Sequence, residues 1–237
     1  MTEHLDPHEH DHSHPDVSGG WLRAAVFGAM DGLVSNISLI AGIGAAGAPP
    51  HTVVITGVAG LVAGSFSMAL GEYTSVKTQN EQVDSELAIE REAHARNPEG
   101  EQHELTVSFI EMGMSPRTAR AAAGEVHKNK ELAPRLHITH ELGLDPLSKP
   151  SPWMAAVSSF AMFAAGAFIP LIPYALGFNQ LWLGLLVGAL GLIVAGGLTA
   201  RWTRRAWWKS ASRQLFFGAI AVTATYLVGM LFGVSGS

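Results

Sequence analysis

The chain has 237 residues, of which 48% are hydrophobic and only 15% charged, and its formal net charge is −5. A soluble domain has roughly 25% charged residues, so this composition favours a membrane protein. The chain has no cysteine, which excludes disulfides, thiolate metal sites and thiol catalysis. Outside one short loop it has no basic run, so the electrostatic footprint of a nucleic-acid-binding protein is missing.

The first twenty residues are acidic and rich in histidine. A signal peptide would need a positively charged start, so residues 1–20 are predicted to form a disordered tail. The tail histidines would either bind metal weakly or keep the tail soluble. They are His8, His10, His12 and His14.

Five apolar stretches follow, each long enough to cross a hydrocarbon core of about 30 Å, which takes roughly 20 helical residues. As core helices of a soluble protein they would leave too little chain to cover them. They span residues 24–46, 52–73, 153–175, 180–200 and 214–232. Pro170 and Pro173 in the third stretch predict a break near its outer end.

The loop between the fourth and fifth stretches is basic, whereas the loops at 47–51 and around Phe178 have no lysine or arginine. Basic residues accumulate in short cytoplasmic loops, so the N-terminus, the central region and the basic loop are predicted to be cytosolic. The basic residues of this loop are Arg201, Arg204, Arg205, Lys209 and Arg213.

Transmembrane helices are therefore predicted at 21–74 and 151–237, with a cytosolic helical domain at 75–150. Within this domain, a helix continues out of the second span to about Arg96, and three more follow at about 98–112, 116–130 and 132–142. Asn97-Pro98 and Ser115-Pro116 mark two of the helix starts, since proline suits the first helical position.

Two carboxylates lie within predicted spans, Asp31 in the first and Glu72 near the inner end of the second. A carboxylate in hydrocarbon costs at least about 2.5 kcal/mol, so such residues are normally functional. The simpler alternative for Glu72 is an interfacial ion pair with Lys77. Met68, one turn before Glu72 on the same helix face, is a soft ligand, and the three residues together indicate an ion path.

The cytosolic domain places carboxylates and histidines on shared helix faces, at Glu86, Glu90 and His94, at Glu101 and Glu104, and at His137, His140 and Glu141. Carboxylate and imidazole ligands suit Fe²⁺, Mn²⁺ or Zn²⁺, and no further cofactor is expected. The alternative is that these are ordinary solvated faces. If His94 and His137 are ligands, metal affinity should fall as the pH drops through about 6.5, because imidazole coordinates only when neutral.

The sequence resembles the vacuolar iron transporter family, as a bacterial-type member, from about residue 21 to 232. The resemblance is carried by DGLVSNISLIAGI from Asp31, SMALGEYTSVKTQNE from Ser67, ELGLDP from Glu141 and IPLIPY from Ile169. It implies a homodimer with five spans per subunit, a translocation path between the two pairs of first and second helices that the subunits contribute, and a cytosolic three-helix metal-binding domain.

By this resemblance Asp31 and Met68 line the path, and Glu90, Glu101, Glu104 and Glu141 bind metal. The chain departs from the family pattern at Ala93, where a glutamate is common, and at His137 and Ile138, where some members have two methionines.

The resulting prediction is an exporter of Fe²⁺ or Mn²⁺ from the cytosol by proton antiport, located in the bilayer of the bacterial inner membrane. It is not expected to be an enzyme. Two alternatives were considered: a membrane-tethered carboxylate di-iron oxidase and a metal sensor that does not transport. The oxidase would favour Glu-x-x-His pairs, which are missing from the predicted helices, and the sensor would need no carboxylate in the membrane.

Overall fold

The computed structural model describes residues 20–143, 146–203 and 206–235, except the side chains of 141–142, 201–203 and 234–235. All regular elements in this part of the chain are helices, which confirms the all-α prediction. A 3₁₀ turn at Ile169–Leu171 separates α6 from α7. The helices are α1 Trp21–Ala45, α2 Pro50–Arg96, α3 Pro98–Glu111, α4 Pro116–His127, α5 Leu132–Leu142, α6 Pro152–Phe168, α7 Ile172–Ala175, α8 Leu181–Thr203 and α9 Trp207–Ser235.

Five segments among the described residues are long and apolar enough to cross a membrane, as predicted. They are Trp21–Ala45, Pro50–Arg96, Pro152–Ala175, Leu181–Ala200 and Trp207–Gly233. The chain is therefore a multi-pass membrane protein. The third span is interrupted by the 3₁₀ turn that contains Pro170 and leads into α7, which confirms the predicted break near its end.

Helix α1 is the centre of the bundle, because it contacts α2, α6, α8 and α9. Its most extensive contact is with α6, where small residues allow the two backbones to touch. A Cβ added at Gly28 would lie 2.7 Å from the carbonyl oxygen of Ser159, and one at Gly166 would collide with the carbonyl oxygen of Ala29. Small residues of this kind drive helix packing in lipid, where the hydrophobic effect between helices is absent.

Helix α2 has 47 residues and is therefore about 70 Å long at 1.5 Å per residue. That is more than twice the thickness of a hydrocarbon core. It also packs against α1 and α6, and against α3 and α5 of the central region. One continuous helix thus connects the apolar bundle to the charged helices that follow.

Local capping explains where the central helices begin and end. Asn97 accepts a hydrogen bond from the backbone of Gly100, and Ser115 accepts one from Thr118, so α3 and α4 start at the two predicted prolines. Helix α4 ends at His127, three residues earlier than predicted. The Asn129 side chain accepts from the backbone N–H groups at 131 and 132 and so competes with continuation of the helix.

Some predicted features fall outside the described residues. They are the histidine-rich tail up to residue 19, the side chain of Arg201, and Arg204 and Arg205 of the basic loop.

Candidate metal path and interhelical cluster

The three predicted path residues, Asp31, Met68 and Glu72, line one open groove of about 440 Å³ between α1 and α2. Met68 and Glu72 are one turn apart on α2, so that their side chains lie on the same face. Ser67 and Phe163 also line this groove. The groove combines carboxylate, thioether and hydroxyl groups, all of which are possible ligands for a divalent cation.

Asp31 is half-buried on α1. Ser35, one turn later, donates a hydrogen bond of 2.9 Å to its Oδ1. The next polar residue of this helix, Asn36, points elsewhere: its buried side chain donates to the carbonyl oxygen of Ala167 at the end of α6. Ser35 therefore supports the carboxylate, while Asn36 anchors α1 to α6.

Glu72 is buried and accepts a hydrogen bond of 2.9 Å from the Arg23 guanidinium of α1. The sequence had offered Lys77 as its partner, and that alternative is wrong. Lys77 instead lies 3.7 Å from Glu81, one turn further along α2. Two residues four apart on one helix are neighbours, whereas Arg23 reaches Glu72 through the packing of α1 on α2. Glu72, which lines the groove, is thus held in an ion pair between α1 and α2.

A second group of polar side chains, here called the interhelical cluster, lies where α2, α3, α4 and α5 meet. It consists of Glu90 and His94 from α2, Glu101 from α3, His127 from α4 and His137 from α5. The ligand atoms form two sets, each within 4.8 Å: Glu90, Glu101 and His137, and separately His94, His127 and His137.

The carboxylates lie on one side of His137. Its Nδ1 is 3.2 Å from Glu90 Oε1 and 3.7 Å from Glu101 Oε2. His94 Nδ1 lies 3.8 Å from the same Glu101 oxygen. Side chains from three helices therefore converge on one point, in an arrangement that suits a cation with mixed oxygen and nitrogen ligands.

The three imidazole rings are in mutual contact. His94 and His127 are stacked, with centroids 5.1 Å apart, and His137 stands edge-on to His94 at 4.6 Å. The Nδ1 atoms of His94 and His127 bond to the carbonyl oxygens of Glu90 and Ala123, one turn earlier on their own helices. Both rings are thereby fixed in orientation.

Burial lowers the pKa of two of these histidines, His137 and His127. His137 is 2% exposed, and desolvation, followed by the repulsion from His94, His127 and His140, lowers its pKa from 6.5 to about 4. Desolvation also lowers the pKa of His127, against the opposing effect of its hydrogen bond to Ala123. A neutral imidazole keeps a lone pair for a metal ion.

The cluster overlaps with the predicted ligand set but is not identical to it. Glu90, His94, Glu101 and His137 meet, whereas Glu86 and Glu104 belong to neither set of ligand atoms, and Glu104 is exposed. The side chain of Glu141 lies outside the described residues. His127 was missed, since it is an isolated histidine at the end of α4 without a partner one turn away.

Comparison with known proteins agrees with this architecture. Residues 22–230 match the model of the VIT family. The chain belongs to the VIT family. A vacuolar iron transporter of Acanthamoeba castellanii is 35% identical over 217 residues, covering 90% of this chain and 79% of the relative.

Two plant relatives of the VIT family match over similar lengths. Vacuolar iron transporter homolog 1 of Oryza sativa subsp. japonica is 36% identical, covering 91% of this chain and 75% of the relative. Vacuolar iron transporter 1 of Arabidopsis thaliana is 29% identical, covering 94% and 89%. The predicted family is therefore confirmed, and membership of this family of transporters confirms that the chain is not an enzyme.

Proposed function

We propose that this protein exports Fe²⁺ or Mn²⁺ from the cytosol in exchange for protons, along the groove between α1 and α2. The observation that carries the proposal is the meeting of Asp31, Met68 and Glu72 in this one groove. The names of the relatives, which are iron transporters, support a metal ion as the substrate.

In this proposal the interhelical cluster captures the ion first. Glu90 and Glu101 supply oxygen ligands beside His137, and His94 adjoins Glu101. Oxygen and imidazole ligands without thiolate suit Fe²⁺ and Mn²⁺. The cytosolic location of the cluster is itself proposed, from the basic loop between the fourth and fifth spans.

The ion then passes Glu72 and reaches Asp31 and Met68. Glu72 is occupied by Arg23 in the structure, so an ion that binds Glu72 must replace the guanidinium. Deeper in the groove, the Met68 thioether and the Asp31 carboxylate would hold a transition-metal ion that has lost part of its water shell. Ser35 orients the Asp31 carboxylate.

Protons complete the cycle. A carboxylate must be deprotonated to bind metal, so protons that arrive at Asp31 from the far side displace the ion. Because the groove is open along one side of the subunit, we further propose that a second copy closes it and that the protein is a homodimer. Placement in a bacterial inner membrane is part of this proposal.

The two alternatives lack comparable support. A di-iron oxidase is excluded by membership of a transporter family. A metal sensor that does not transport would not explain why a carboxylate and a thioether line a groove in the apolar bundle, since a charge within a membrane is costly and normally marks a functional site such as an ion path.

Reconstitution in liposomes tests the proposal. Purified protein should carry Fe²⁺ and Mn²⁺ into vesicles with an acidic interior, and the interior should become more alkaline as metal enters. Protein-free vesicles are the control. Metal uptake no faster than in these vesicles would refute transport, and uptake that is equally fast without a pH gradient and without proton movement would refute the antiport.

A further inference from the structure

We propose that His94, His127 and His137 form a second cation site, which binds Zn²⁺ through three imidazole nitrogens and competes for His137 with the carboxylate site of Glu90 and Glu101. This inference deepens the proposed metal-binding role of the cluster. It does not require that the protein transports metal, and the experiment below separates the two.

The first argument comes from the tautomers of His94 and His127. A carbonyl oxygen only accepts hydrogen bonds, so the Nδ1 atoms that contact the carbonyl oxygens of Glu90 and Ala123, at 2.9 and 3.1 Å, must carry the protons. Each ring then has its lone pair on Nε2. Metal-binding histidines typically have this arrangement, in which the second ring nitrogen donates to a backbone or carboxylate oxygen.

The second argument is that these lone pairs are buried. The Nε2 atoms of His94 and His127 are inaccessible to water and have no hydrogen-bond partner among the described residues. A buried acceptor without a donor costs about 1 to 3 kcal/mol. Two such atoms in neighbouring stacked rings indicate that a cation, rather than a hydrogen-bond donor, completes the site.

The third argument concerns the type of cation. The set consists of imidazoles only, with ligand atoms from three helices within 4.8 Å of one another. Three histidine ligands and one open position suit Zn²⁺, whereas Mn²⁺ prefers oxygen ligands. A cavity of about 490 Å³ reaches His94 and His127 beside Arg91 and Lys130, and it provides an entry path and room for a fourth ligand.

His137 makes the two sites mutually exclusive. A neutral imidazole has a single lone pair. If Nδ1, which faces Glu90 and Glu101, is used at the carboxylate site, then Nε2 carries the proton and cannot serve the histidine site. If Nδ1 is protonated and its proton faces Glu90, Nε2 is available to Zn²⁺. Bound Zn²⁺ should therefore weaken the binding of Mn²⁺.

The test compares Zn²⁺ and Mn²⁺ binding to the detergent-solubilised full-length protein by calorimetry. The variant is His127→Phe, which keeps a stacked ring but has no lone pair, and the matched control is His103→Phe at an exposed histidine of α3. The tail histidines are identical in all the proteins, so that a difference between them reports on the cluster.

We expect His127→Phe to lower Zn²⁺ affinity by at least about tenfold to a hundredfold, since losing a ligand should cost no less than losing an outer-shell partner of a ligand, while Mn²⁺ affinity stays unchanged. His103→Phe should change neither. In the wild type, saturation with Zn²⁺ should reduce Mn²⁺ affinity. Helical circular dichroism and gel filtration establish that the variants are folded, and His127→Gln replaces His127→Phe if the latter aggregates.

Equal Zn²⁺ affinity in wild type and His127→Phe would overturn the inference. An equal loss of Zn²⁺ and Mn²⁺ affinity would overturn it as well, because it would mean one shared site. Failure of transport has a different signature: metal flux is absent from liposomes with wild-type protein, while the Zn²⁺ affinity still depends on His127.

Discussion

Asp31 is the charged residue deepest in the proposed path, and its environment differs from that of Glu72. Glu72 is paired with Arg23, whereas the contact to Asp31 comes from the Ser35 hydroxyl, a neutral donor. A carboxylate that faces an open groove without a neighbouring guanidinium is ready to bind a cation. This difference makes Asp31 the better target for testing transport alone.

Asp31→Asn should reduce metal flux to the level of protein-free liposomes while leaving metal binding by the interhelical cluster intact. The amide has nearly the same shape but no charge, so the negative charge of the proposed ligand is lost without a change in packing. Flux is measured in liposomes and binding by calorimetry. Asp84→Asn, the same change at an exposed carboxylate paired with Lys149, is the control. Wild-type flux in Asp31→Asn would contradict the proposed path.

His137 allows a prediction on pH. Its pKa is lowered from 6.5 to about 4 by burial, so between these pH values the unfolded chain binds more protons than the folded one. The stability contributed by neutral His137 is complete above pH 6.5 and is lost as the pH falls toward 4. The upper limit of the loss is about 3 kcal/mol, since a tenfold change in proton affinity is worth about 1.4 kcal/mol.

Thermal melts of the metal-free protein, followed by circular dichroism at pH 7, 6 and 5, measure this effect. The melting temperature of the central helices should fall with pH in the wild type and fall less in His137→Gln, which does not titrate. Parallel curves for the two proteins would contradict the lowered pKa. The lowered pKa also corrects the sequence-based expectation, because protons should compete with metal at His137 only well below pH 6.5.

The contacts that the sequence analysis missed all join different helices. Arg23 of α1 pairs with Glu72 of α2, 49 positions away, and His127 is on a different helix from His94 and His137. Helical periodicity shows which residues share a face of one helix, but not which turn of that face meets another helix. For the same reason Glu86 and Glu104, placed by their spacing, lie outside the cluster.

At the level of the helices, prediction from sequence was more successful. Long apolar stretches, prolines and capping residues act locally, so the five spans, the break at Pro170 and the starts of α3 and α4 were all predicted. The exception is the end of α4, where the Asn129 side chain bonds to the backbone of the following turn. The turn and a continued helix have similar free energies, so the sequence alone does not show which of the two forms.

The close packing of α1 on α6 gives a prediction at this level. Gly166→Ala should destabilise the bundle by about 1 to 3 kcal/mol, the usual cost of overpacking, because the added Cβ collides with the Ala29 carbonyl oxygen. Gly197→Ala in α8, where a Cβ meets nothing within 4 Å, is the matched control. It should be neutral or slightly stabilising, since alanine favours helix.

Melting temperatures of the detergent-solubilised proteins, read from tryptophan fluorescence or from the loss of the gel-filtration peak, compare the two variants. Equal melting temperatures for Gly166→Ala and Gly197→Ala would show that α1 and α6 are able to separate at no cost.

For the whole molecule, α2 is the element that would link capture to transport in the proposed cycle. Glu72 in the groove and Glu90 in the cluster are both on this helix, 18 residues apart in sequence, or about 27 Å along its axis. This distance is too long for a single ligand exchange. A metal ion must therefore leave the cluster before it enters the groove, and the affinity of the cluster should set how much metal is collected rather than which ions cross.

The open side of the groove leads to the last prediction. Ser67 is exposed on α2 and lines the groove, and a groove with two carboxylates would face hydrocarbon unless another protein surface covers it. If a second copy does so, the two Ser67 residues lie near each other across the dimer interface. The natural chain has no cysteine, so a single introduced cysteine reports on one position only.

Ser67→Cys in native membranes, treated with a flexible bismaleimide, should give a dimer band on denaturing gels, and the cross-link should block metal flux. Leu186→Cys is the control, since Leu186 is exposed on α8, a helix that packs on α1 and α9 and not substantially on α2. The Leu186→Cys protein should give no dimer band. Cross-linking of Leu186→Cys but not of Ser67→Cys would place the interface on the opposite side of the bundle, and the metal path would then need to be enclosed within a single subunit.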